Sequence, residues 1–160
     1  MKNIVKGDNS LGEAKCFEIK NGVLNCEYQD LVSIDFSECI ELRELWCSHN
    51  NLKDLQVPEG LEKLWCHNNQ LKEIELVDDL ISVNCSNNQL NDLKVPRKLK
   101  ILYCFSNKIM NLDVPENIEE LYCNDNLLDR FQIGNKEITS KIKIDIEKYS
   151  DKDININIHY

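Results

Sequence analysis

Residue types able to do chemistry recur in this chain at a fixed interval. Cys47, Cys66, Cys85, Cys104 and Cys123 stand 19 residues apart, with Cys26 a looser 21 before the first. A thiol ladder of that kind has three possible uses: metal ligation, disulfide bonding and nucleophilic attack. Each requires a second feature. A tetrahedral metal site needs thiolates or imidazoles converging on one point. Cys66 and His67 are consecutive, and on a strand they point to opposite faces. Disulfides between neighbouring strands are within range at about 4.8 Å, but parallel side-chain vectors oppose the torsion the bond requires. A nucleophilic cysteine needs a depressed pKa and a base, and His49, His67 and His159 have no carboxylate at catalytic spacing. The ladder therefore reads as buried, reduced thiols serving as small apolar core residues. No metal, cofactor or catalytic residue is expected. The five glycines, at 7, 12, 22, 60 and 134, form no phosphate loop.

A second set of residues shares the same interval and falls on the opposite face. One column reads Trp46, Trp65, Asn84, Tyr103, Tyr122; its flanks read Ser48, His67, Ser86, Phe105, Asn124 and Glu44, Lys63, Ser82, Ile101, Glu120. Core packing does not call for four aromatic residues in one outward column. Cross-strand stacking of large rings is the structural reading. Recognition is the functional one, because tryptophan and tyrosine dominate interface hot spots and exposed apolar patches mark binding surfaces. The recognition reading is preferred, and it nominates Trp46, Trp65, His67, Asn84, Ile101, Tyr103, Phe105 and Tyr122 as the partner-binding residues. Five strands at about 4.8 Å give a face roughly 20–25 Å wide, barely enough for a small interface of about 800 Å² per partner.

The elements that position both sets follow from the repeat. Leu42-Arg43-Glu44-Leu45-Trp46-Cys47-Ser48-His49-Asn50-Asn51-Leu52 lies in frame with Leu61-Glu62-Lys63-Leu64-Trp65-Cys66-His67-Asn68-Asn69-Gln70-Leu71, and the frame recurs from Leu80, Leu99 and Ile118. Asn50, Asn69, Asn88, Asn107 and Asn126 keep the interval, as do Leu52, Leu71, Leu90, Ile109 and Leu128. In Glu44–Ser48, alternation sends Leu45 and Cys47 inward and Glu44, Trp46 and Ser48 outward. Leu52, Leu55 and Val57 return along the far side of the same coil. One coil buries about six apolar side chains at roughly 1.5–3 kcal/mol each. Ordering its residues costs on the order of 1.5 kcal/mol apiece, so only stacking makes the array stable. The asparagine amides are expected to bond backbone groups of neighbouring coils.

The pattern L-x-x-L-x-C-x-x-N-x-L resembles the leucine-rich-repeat consensus. Its short period and the Val57-Pro58, Val95-Pro96 and Val114-Pro115 steps resemble the compact bacterial subtype of secreted effectors. The resemblance implies a solenoid whose parallel β-sheet faces an extended, polyproline-like convex side, with little α-helix, and it implies a possible host-protein partner.

Residues 24–134 are assigned to the repeats, one looser and five regular. Residues 1–27 are assigned to an N-terminal β cap, with a hairpin over 14–27 turning at Asn21-Gly22. Residues 135–160 are assigned to a C-terminal hairpin cap, because Ile142, Ile144 and Ile146, then Ile154, Ile156 and Ile158, alternate with polar residues.

A net charge of −9 on 160 residues opposes nucleic-acid binding, which requires a basic face. No stretch approaches the roughly 18 apolar residues of a membrane span. The chain reads as cytoplasmic, or as exported without a cleavable signal. The expected function is a non-catalytic protein-interaction module that binds an unidentified protein on its strand face. An acidic inhibitor or immunity protein for a basic enzyme or toxin is the alternative, followed by a carbohydrate-binding module.

Overall fold

In the computed structural model, residues 4–39, 41–128, 130–134, 143–145 and 156–157 are described. Strands β1 (Ile4–Asn9), β2 (Ala14–Glu18), β3 (Val23–Asn25) and β4 (Leu31–Asp35) precede the regular coils. The coils contribute β5 (Glu44–Trp46), β6 (Lys63–Trp65), β7 (Ser82–Asn84), β8 (Ile101–Tyr103), β9 (Asn111–Val114), β10 (Glu120–Tyr122) and β11 (Arg130–Ile133). Strands β12 (Lys143–Asp145) and β13 (Ile156–Asn157) follow. Among the described residues there is no helix, and so none long and apolar enough to cross a membrane.

The molecule is a solenoid of stacked coils. Its main sheet has seven parallel strands in the order β12-β10-β8-β7-β6-β5-β3. The register is strict: Leu24, Leu45, Leu64, Val83, Leu102, Leu121 and Ile144 lie side by side, as do Asn25, Trp46, Trp65, Asn84, Tyr103, Tyr122 and Asp145. Leu45, Leu64, Val83 and Leu102 and the cysteines two residues after each are fully buried, as are Leu52, Leu71 and Leu90 returning from the far side. The convex side carries no strand in the coils of β5, β6 and β7. In the last coils it becomes a second parallel sheet, β13-β11-β9, with Leu112, Val114, Phe131 and Ile133 buried beneath it.

Two backbone devices turn each coil. The asparagines act as expected: Asn69 accepts from Leu52 N at 3.0 Å and donates to Cys47 O at 3.1 Å and Cys66 O at 3.0 Å. Asn50, Asn88, Asn107 and Asn126 repeat this clamp. One residue earlier, Tyr28, His49, Asn68, Asn87, Ser106 and Asp125 form a column with φ between 52° and 56°. Each takes the left-handed conformation needed to leave the strand sharply.

The N-terminus departs from the expected 14–27 hairpin. Asn21 and Gly22 do make a tight turn, at φ 52° and 78°, with Lys20 and Val23 exchanging two 2.9 Å backbone bonds. The pairing stops at that bridge. Strand β3 passes into the parallel sheet, while β2 pairs antiparallel with β1, which also pairs antiparallel with β4. Gly7 permits the close approach of β1 to β4, since a Cβ there would stand 2.8 Å from Ser33 O. Val5 and Leu31 join the solenoid core, with Phe17, Ile19 and Ile34 packed against it. The earlier segment wins because β1 supplies an alternating strand long enough to pair on both edges.

The expected C-terminal hairpin cap over 135–160 lies mostly outside the described residues. Its two described strands pair parallel with the preceding coil, β12 with β10 and β13 with β11.

Candidate functional site

The outward side of the main sheet is built by three-residue strands whose middle residue is buried and whose ends are half-exposed. The strand register aligns Trp46, Trp65, Asn84, Tyr103 and Tyr122, all half-buried. His67 and Phe105 follow the inward cysteines of their coils, and Ile101 opens β8.

The rings form two contacting pairs rather than one continuous strip. Trp46 and Trp65 meet edge to face, with centroids 5.4 Å apart at 63°. Tyr103 and Tyr122 stack at 4.9 Å and 14°. Near-parallel rings at 4.9 Å cannot lie flat side by side without overlap, so the tyrosines stand up from the sheet with their faces turned along the row. Between the pairs, β7 presents only Ser82 and Asn84; Ser86, beyond Cys85, is buried beneath them. Asn84 Oδ1 accepts from Ser86 N at 3.2 Å and from Ser86 Oγ at 2.7 Å.

A polar partner fixes the tyrosine pair. The Tyr103 hydroxyl donates to Glu120 Oε1 at 2.6 Å. Burial, reinforced by that bond and the nearby carboxylate charge, pushes the phenol up to about 12. Lys63 Nζ reaches Glu44 Oε1 at 2.8 Å, so that cation is drawn toward the N-terminal end of the sheet.

One corner was not foreseen. Tyr28 stacks on His49 at 4.2 Å and 12°. His49 in turn meets His67 at 5.2 Å and 80° and accepts from Asn68 Nδ2 at Nε2, 3.1 Å away. Burial holds the His67 imidazole below its usual range; His49 adds to that, and Glu27 works against it. Glu27 accepts a hydrogen bond from the Ser48 hydroxyl. Trp46 Nε1 and His67 Nδ1 are buried with no hydrogen-bond partner among the described residues. The signal for this corner was present: Tyr28 precedes His49 by the 21-residue interval separating Cys26 from Cys47.

The thiol ladder faces the other way. Cys26, Cys47, Cys66, Cys85, Cys104 and Cys123 are buried and free. Burial raises every one of them, Cys26 and Cys85 to about 12 and Cys123 to about 11. At neutral pH they are protonated, the less nucleophilic form of the thiol. Among the described residues no group of three or more His, Cys, Asp or Glu side chains is placed to hold a metal ion.

No protein-family model matches this chain, and no curated protein matches it.

Proposed function

We propose that this chain is a leucine-rich-repeat protein of the short, effector-like kind, acting as a non-catalytic interaction module that binds a protein partner on its strand face. The repeat assignment rests on the in-frame consensus with cysteine in its third apolar position. The asparagine clamp between coils supports it. The functional reading rests on one observation: four large rings occupy a single outward column, half-buried and paired, where the core does not need them. Trp46, Trp65, Tyr103 and Tyr122 are the anchors, and Asn84, His67, Ile101 and Phe105 complete the patch. Rings already held by neighbours lose little freedom on binding, which favours affinity from a small face.

The ring orientation speaks against a carbohydrate platform, because a sugar stacks on ring faces presented to solvent, and Tyr103 and Tyr122 turn theirs toward each other. The net charge of −9 favours a basic partner, as an inhibitor or immunity protein would require. Six buried free thiols suit a reducing compartment such as the cytoplasm.

Affinity capture from the native source, with wild type beside Trp65→Ala and Tyr103→Ala, tests the face. Both variants should keep the wild-type fold and lose the captured partner. A partner retained by both would overturn the proposal.

A further inference from the structure

The two ring pairs are separated by a gap of definite width. Trp65 and Tyr103 stand on β6 and β8, with only β7 between them. Two strand steps make about 9.6 Å. In four of the five regular coils the column position holds a ring; in this one it holds Asn84, flanked by Ser82 and Ser86. A planar group laid over Asn84 would sit about 4.8 Å from each wall, close to the 4.9 Å that Tyr103 and Tyr122 keep between their own centroids. Because those two rings stack, the free face of Tyr103 is turned toward β7.

The surrounding charge selects among planar groups. The chain carries a net −9. The Tyr103 hydroxyl donates to the Glu120 carboxylate, which makes the ring more electron-rich and a better partner for a cation over its face. Lys63 borders Ser82, but its ammonium is held 2.8 Å from Glu44, away from β7. His67, on the other flank, is kept neutral at pH 7 by burial. The floor is polar, and Asn84 is fastened to Ser86 by two hydrogen bonds. A guanidinium is planar, weakly hydrated for a cation and stacks on rings, whereas an ammonium does not stack.

We propose that Ser82 and Asn84 floor a slot, walled by Trp65 and Tyr103, that takes the guanidinium of an arginine presented by a basic protein partner. This rests on the reading of the strand face as a protein-binding surface, and it names what the partner must carry.

The test uses the full chain and two synthetic peptides of equal length, an arginine–glycine repeat and its lysine–glycine counterpart. Binding is followed by calorimetry and by the emission of Trp46 and Trp65, the only two tryptophans. Wild type should bind the arginine peptide about tenfold more tightly than the lysine peptide. Asn84→Tyr, which places in this coil the residue its two successors already carry, should erase that preference. Tyr103→Leu, which removes one wall and leaves the floor, should erase it too and guards against a folding defect in the first variant. Equal binding of the two peptides, no binding of either, or a preference that survives both variants would overturn the slot. If Asn84→Tyr still holds the captured partner while Trp65→Ala and Tyr103→Ala release it, the slot fails and the binding face stands.

Discussion

The side-chain amide of Asn107 donates to the carbonyl of Cys85, 3.1 Å away and 22 residues earlier in the chain. The same nitrogen reaches Cys104 O at 3.1 Å, and the side-chain oxygen accepts from Leu90 N at 3.0 Å. One buried side chain thus closes its own coil and fastens the coil before it. Removing it strands buried backbone groups, each costing about 1–3 kcal/mol when unpaired. Asn107→Ala should therefore destabilise the protein by about 3 kcal/mol, read from the urea midpoint. Exposed Lys108→Ala should stay within about 0.5 kcal/mol of wild type. Equal losses in the two variants would refute the clamp.

How far the sequence revealed this arrangement depends on what each feature rests on. The coils, their register and the inward cysteines follow from a period of 19, because a fixed period forces equivalent residues onto one line of the stack. The asparagine clamp was legible for the same reason. The N-terminal cap was not. Asn21-Gly22 does form the expected turn, but a turn does not decide which strand its neighbours choose, and β1 competes for β2 through pairing distant in sequence. The left-handed column was also hidden, since Tyr28 is a poor residue for that conformation and neither it nor His49 carries the asparagine signal of Asn68 and Asn87. Column membership of the rings was predictable; their facing was not, because ring rotation depends on contacts with the next coil.

Burial of the thiols makes stability sensitive to alkali. Each ladder cysteine has a folded pKa above its unfolded value, Cys85 rising from 9.0 to about 12 and Cys123 to about 11. Between those limits the unfolded chain has released protons that the folded chain retains. The contribution is complete below pH 9, and it is lost as pH climbs toward the folded values. Each such thiol removes about 1.4 kcal/mol per pH unit across that window. The raised phenol of Tyr103 acts in the same direction. Urea midpoints should hold steady from neutral pH to about 8.5, then fall steeply, with unfolding and thiolate absorbance appearing together. Cys85→Ala should show a shallower fall by one thiol's share. A midpoint unchanged up to about pH 10.5 would contradict the buried ladder.

Ser106 offers a cleaner measure of what the turn out of each strand costs. Its φ is 53°, matching Asn68 at 54° and Asn87 at 52° in the two preceding coils. An ordinary L-residue loses about 1–2 kcal/mol in this conformation, and asparagine loses less because its short side chain satisfies the local backbone. Ser106→Asn should raise stability by about 0.5 kcal/mol, and Ser106→Val, branched at Cβ, should lower it by about 1–2 kcal/mol. Glycine should come out near neutral, because relief at φ > 0 is offset by its freer unfolded chain. Thermal melts of the three variants read the order directly, and valine equal to asparagine would refute it. The same arithmetic bears on function. At the equivalent position Tyr28, at φ 55°, keeps a ring where asparagine is the more stable choice, and that ring stacks on His49. Strain retained against an available remedy points to use of the side chain, here at the edge of the proposed binding face.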